Sequence, residues 1–154
     1  MDAFSEFQLL VAELRNRKID YALCGGIAMA VHGYPRATID IDLLVPPHSL
    51  TELKMAATNL GYGFENRLSG FSGGQVEITR MTKIEAESGD YLMLDLLHVT
   101  PLLDDVWSAR VQMESSFGNI WVVTKPGLIK MKKLRNSKQD EADIENLMGA
   151  HDKN

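Results

Sequence analysis

The sequence predicts a single domain of the α/β (α+β) class, and three observations carry that reading. Helix-like and strand-like periodicities alternate along its 154 residues. An apolar run, Tyr21 to Cys24, ends in Gly25-Gly26, the pattern of a strand turning into a helix. A second apolar run, Ile39 to Val45, carries Asp40 and Asp42 at i and i+2. In an extended strand those side chains share a face, while Ile39, Ile41 and Leu43 point the other way.

The elements follow in order. Residues 4 to 17 carry Phe4, Phe7, Val11 and Leu14 at helical spacing. The strand Tyr21 to Cys24 leads into the double glycine, and a helix through Ala28, Met29 and Val31 ends near Gly33. Pro35 marks a loop before the strand Ile39 to Val45, which Pro46-Pro47 closes. Ser49 is placed to cap a helix running to about Leu60, before Gly61. Residues 65 to 74, with Gly70, Gly73 and Gly74, read as a loop. Gln75 to Met81 alternates as a strand, and Tyr91 to Val99 is a second, strongly apolar one. A short helix near Leu102 to Ser108 precedes a hairpin, Val111 to Glu114 and Ile120 to Val123, turning near Gly118-Asn119. Pro126 to Met148 reads as two helices broken near Asn136-Ser137, with Pro126 in a helical first turn. The division is a core over about 1–124 and C-terminal helices over about 125–150.

Composition narrows the function. Hydrophobic residues make up 45% and charged residues 24%, an ordinary globular balance in a length that suits one core. A net charge of −5 disfavours a broad nucleic-acid surface, which needs basic excess. No apolar stretch is long enough to span a membrane, and the acidic, polar start MDAFSEFQ is unlike a signal peptide. The one cysteine, Cys24, has no internal partner and ends an apolar run, so it reads as a small buried hydrophobe. A reducing, cytoplasmic setting is expected.

The chemistry lies in the acidic pair. Two adjacent carboxylates repel, and a divalent cation relieves that repulsion. Backbone N–H groups at a strand-to-helix glycine turn can hold phosphate oxygens. Asp95 stands inside the apolar run Leu-Met-Leu-Asp-Leu-Leu, where a carboxylate is costly without a partner. A metal shared with Asp40 and Asp42 would be such a partner; a hydrogen bond from a buried neighbour would be another. His98 faces the opposite side from Asp95 and reads as a core or surface histidine.

These residues resemble the signature of the DNA polymerase β-type nucleotidyltransferase superfamily: Gly-Gly or Gly-Ser, a spacer, then Asp-x-Asp in a strand. Gly25, Gly26, Ala28, Arg36, Thr38, Asp40, Asp42 and Leu43 are similar to the small stand-alone members, the abortive-infection toxins and the lincosamide-type antibiotic nucleotidyltransferases. Asp95, between Leu94 and Leu96, matches the third acidic residue of that pattern. The segment 128–147 resembles the ending of the abortive-infection enzymes, through Lys132, Gln139, Asp140 and Asp143. The likeness follows the element order along nearly the whole chain but rests on about three short segments.

The resemblance implies a minimal nucleotidyltransferase fold: a mixed sheet flanked by helices, with a C-terminal helical tail. It implies two Mg²⁺ ions, or Mn²⁺ in their place, held by Asp40, Asp42 and Asp95, an NTP, and an attacking hydroxyl on a small molecule, a tRNA end or a protein. Gly25 and Gly26 would cradle phosphate, Arg36 would reach the outer phosphates or, equally, stand as a surface loop arginine, and Thr38 would orient a carboxylate. Lys132 would deliver a cation to the triphosphate, with Lys130 and Lys133 as alternatives, while Asp140 is equally placed to begin the last helix. The chain has no second domain for a large acceptor, so a partner subunit in a homodimer, or the stretch Gly61 to Gly74 closing over the substrate, would complete the site. The rival expectation is a non-catalytic nucleotide-binding or toxin–antitoxin-type interaction protein on the same fold.

Overall fold

The computed structural model describes residues 1–71 and 75–152. Helix α1 (Ala3–Asn16) precedes strand β1 (Ala22–Cys24), helix α2 (Gly25–Val31) and strand β2 (Asp40–Val45). Helix α3 (Leu50–Asn59) leads to three strands, β3 (Tyr62–Phe71), β4 (Val76–Ile84) and β5 (Tyr91–His98). A short helix α4 (Asp104–Ser108) and the hairpin β6 (Val111–Ser115) and β7 (Gly118–Val122) follow, then α5 (Lys125–Arg135) and α6 (Lys138–Asp152). Among the described residues the strands form one mixed sheet in the order β3-β4-β5-β2-β1-β7-β6. The β2–β5 and β1–β7 pairs are parallel and the others antiparallel.

Local chemistry explains most boundaries. Asp2 accepts the Ser5 N–H at 2.9 Å and caps α1, which buries Phe7, Leu10, Val11 and Leu14. Each such side chain contributes about 1.5–3 kcal/mol when fully buried. Thr124 caps α5 through the Gly127 N–H. Asn136, in the left-handed region at φ 56, ends α5 and turns the chain into α6.

Phe4 lies in α1 as its spacing implies, but on the exposed side, where it meets Phe117 edge to face at 5.8 Å. Three local expectations need correction. Ile39 precedes β2 and is exposed, whereas Ile41 and Leu43 are buried. Ser49 stands at the start of α3 but makes no side-chain cap bond. The expected loop over 65–74 is strand β3 as far as Phe71, so the segment from Gly61 is no free flap; residues 72–74, with Gly73 and Gly74, lie outside the described residues. The stretch Gly63 to Arg67 is exposed on both faces, so no apolar alternation marks it as a strand.

Strand register positions the site. Cys24, Asp42, Asp95, Arg80 and Asn66 stand opposite one another on five adjacent strands, forming one row across the sheet. Asp40, Met93, Thr82 and Phe64 form the next row. Paired residues share a face, so the three carboxylates lie on one side. The other side carries Ile41, Leu43, Leu94 and Leu96, all fully buried. Helix α1 packs against α3 and β2, and α5 packs against α6. No described helix is long and apolar enough to cross a membrane.

Candidate active site

A cleft of about 150 Å³ opens over the carboxylate row. Its floor is Cys24, Gly25, Asp42, Asp95 and Arg80, and α5 roofs it with Leu128, Met131, Lys132 and Arg135. Gly25 begins α2 at φ +69, where L side chains are strained. A β-carbon there would fall on the Asp42 carboxylate, so glycine is what lets Asp42 lie against the turn. Gly26 is packed as tightly: its β-carbon would stand 2.9 Å from Thr38 Oγ1.

Crowding sets the charge state of the acidic pair. Burial, reinforced by Asp95 and Asp40, pushes the Asp42 carboxyl up to about 7. Burial and Asp95 raise Asp40 as well, and Asp40 Oδ1 is buried without a hydrogen-bond partner. Asp95 is different. Arg80 donates to both its oxygens, Nε to Oδ1 at 2.8 Å and Nη2 to Oδ2 at 2.9 Å. The partner that the apolar surroundings of Asp95 demand is therefore the partly exposed Arg80 guanidinium, one strand away.

The C-terminal helices carry a linked set of charges. Lys132 is 3% exposed and donates to Asp143 at 2.8 Å, with Asp140 at 3.8 Å. Arg36 reaches the same Asp143 oxygen at 3.0 Å, and Gln139 takes the other. Arg135 binds Asp140 through two hydrogen bonds. Asp140 and Ser137 cap each other's backbone N–H, a reciprocal box that starts α6. Burial pushes the Asp140 carboxyl up, but Arg135 and Ser137 outweigh it and hold it at about 2. Asp143 is lowered in the same way, Lys132 and Gln139 overcoming its burial.

Asp42, Asp95, Gly25 and Lys132 thus line one cleft, with Asp40 in the adjoining row. Gly26, Thr38 and Arg36 lie together beside it. Arg36 points to Asp143, not into the cleft, and lines a separate depression with Tyr34, Gln139 and Asn146. Thr38 Oγ1 bonds the Asp40 backbone, donating to its carbonyl at 3.2 Å, rather than a carboxylate. The helical phase of α5 selects among the lysines: Lys132 lines the cleft, Lys130 bonds Asp105, and Lys133 is exposed. Sequence reasoning missed Arg80 and Arg135. Arg80 had one signal, its place among alternating apolar residues before a strand bearing a buried acid. His98 lies on the other face and bonds Thr79, and burial raises the Cys24 thiol well above its usual value.

A divalent cation fits part of this arrangement. Asp40 and Asp42 offer a crowded pair with an orphaned buried oxygen. Among the described residues, no three acidic, histidine or cysteine side chains converge into a cage. Two carboxylates plus substrate phosphate oxygens is the ligand set Mg²⁺ favours over an all-protein cage.

The pair predicts a measurable pH dependence. Because the folded Asp42 holds its proton more tightly than the unfolded chain, stability falls as pH rises from about 4 to about 7. Above that the cost is full, at most about 4 kcal/mol. Asp140 and Asp143 act oppositely, losing their stabilisation as pH drops below about 4. Asp42→Asn should raise the thermal midpoint of metal-free protein at pH 8 and leave it unchanged near pH 4, as melts across that range would read.

No family model matches the sequence, and no curated protein does. Solved structures do match, and they share one fold: that of the nucleotidyltransferases. The lincosamide antibiotic adenylyltransferase LnuA, solved with lincomycin bound, aligns over 96% of this chain and 97% of its own at a TM-score of 0.64 and 17% identity. A candidate nucleotidyltransferase from Thermotoga maritima aligns over 100% and 97% at 0.62 and 15%. ANT(2")-Ia, solved with adenylyl-2"-tobramycin, aligns over 95% and 87% at 0.64 and 13%. The chain spans nearly the whole length of the first two.

Proposed function

We propose that the protein transfers a nucleoside monophosphate from an NTP to a hydroxyl acceptor, releasing pyrophosphate. One observation carries the reading: Asp42 and Asp95 adjoin in one row beside Gly25, with Asp40 next to them, in a cleft of this fold. Lincomycin and tobramycin in the similar structures make an antibiotic-like small molecule the first acceptor to try. A tRNA end or a protein hydroxyl would suit the same chemistry.

Asp40 and Asp42 are the residues that would hold a divalent cation, with Asp95 toward the acceptor. Such a cation supplies charge neutralisation on the triphosphate and a lowered pKa for the attacking hydroxyl. The Gly25 turn presents backbone N–H groups to phosphate oxygens. Lys132 contributes a positive wall, held in place by Asp143. Asp95 receives the hydroxyl proton as Arg80 loosens its grip. The work of the protein is positioning and charge balance.

The test is incubation with each labelled NTP and Mg²⁺ against lincosamides, aminoglycosides, tRNA and cell extract, followed by mass analysis. An acceptor gaining a nucleotide with wild type and not with Asp42→Asn supports the reading. The rival, a non-catalytic interaction protein, draws on Asp95 having both oxygens held by Arg80. Nucleotide transfer by wild type to none of these acceptors would favour that rival, and Asp95→Asn separates a catalytic Asp95 from a structural one. We expect nearly unchanged NTP affinity by calorimetry and a loss of turnover of about 10²-fold or more. Wild-type turnover in a folded Asp95→Asn protein would remove Asp95 from the mechanism.

A further inference from the structure

Strand β3 carries a surface complementary to itself. It ends the sheet and, among the described residues, pairs only with β4. Gly63 to Arg67 are exposed one after another, so both faces and the outer edge of the strand meet solvent. Exposed edges of this kind are templates for another strand, and proteins commonly blunt them with charged side chains, proline or a bulge. Phe64 to Leu68 has no proline, its two charges, Glu65 and Arg67, are opposite in sign and so can pair with a second copy, and its pairing with β4 is unbroken, the register shifts falling on either side.

The sequence Phe64-Glu65-Asn66-Arg67-Leu68 is nearly symmetric in chemistry about Asn66. Antiparallel pairing of two copies centred there sets Glu65 opposite the partner's Arg67, and Arg67 opposite the partner's Glu65. On the other face it sets Phe64 opposite the partner's Leu68. Opposite charges and apolar pairs directly across strands are stabilising contacts. Glu65 touches Lys54 through one oxygen at 3.0 Å, leaving the other for a partner. Among the described residues no carboxylate pairs with Arg67.

We propose that the protein is a two-fold homodimer joined through β3, its two sheets continuous. The two-fold axis stands perpendicular to the sheet, so both carboxylate rows face the same way. Phe64 ends the row that begins at Asp40, three strand spacings or about 14 Å away. The partner's Leu68 would stand opposite Phe64 on the carboxylate face, one strand spacing further out, about 19 Å from Asp40. The dimer itself does not depend on nucleotide transfer, and its test is separate from activity.

The experiment is sedimentation of the full chain and its charge variants, with circular dichroism to verify folding. Wild type should sediment at twice the chain mass, and Glu65→Arg and Arg67→Glu should each sediment as monomers. An equimolar mixture of the two variants should recover the dimer, because every cross-strand pair becomes opposite in charge again. The double variant Glu65→Arg/Arg67→Glu should recover it alone. A monomeric wild type, or a dimer indifferent to both reversals, would overturn the proposal. So would monomers that neither the mixture nor the double exchange restores.

Discussion

Gly25→Ala is expected to abolish nucleotide transfer and lower stability by about 3 kcal/mol or more, from left-handed strain and overpacking together. Two independent demands meet at this residue. Its φ of +69 costs any side chain, and the new methyl would occupy the space of the Asp42 carboxylate. Relief requires either the turn or Asp42 to move, and both belong to the proposed site. For a chain of this size the thermal midpoint should fall by about 6–12 °C. Gly33→Ala is the control: it also has positive φ, but nothing lies within 4 Å of its β-carbon position. Its backbone strain alone should cost less and leave activity intact. Equal losses in the two variants would mean that the contact with Asp42 contributes nothing.

Lys132→Met should be comparably severe, for a different reason. Removing the ammonium leaves Asp143 and Asp140 buried, at 1% and 0% exposure, with a reduced set of donors. Breaking a buried pair costs about 3–5 kcal/mol. Arg36, Gln139 and Arg135 keep part of the compensation, which places the expected loss at the low end of that range. A second effect separates structure from chemistry. If Lys132 also serves the triphosphate, the folded variant at low temperature should lose affinity for an NTP more than for its nucleoside. Equal losses for the two would confine Lys132 to holding α5 and α6 together.

How much was legible beforehand depends on how local each signal is. Gly25 and the Asp40–Asp42 pair could be read because strand and helix periods meet there within a few residues. Asp95 could be read because a carboxylate among leucines demands a partner. Its partner was harder to read: Arg80 keeps the phase of Val76 and Ile78, a weak signal, and only the β4–β5 register sets it opposite Asp95. Lys132 was one of three candidate lysines until the phase of α5, fixed by Leu128 and Met131 facing the cleft, singled it out. Arg36 was misdirected because its partner, Asp143, is 107 residues away. Strand β3 was missed because edge strands bare on both faces have no apolar period to detect.

The central claim is that Asp40 and Asp42 bind a nucleotide through a divalent cation. Calorimetric titration of the four NTPs, with Mg²⁺ and with EDTA, into wild type and Asp42→Asn tests it most directly. Binding of at least one NTP that needs Mg²⁺ and disappears in the folded Asp42→Asn protein is the predicted result. Binding of equal strength in EDTA, or unchanged by Asp42→Asn, would contradict it.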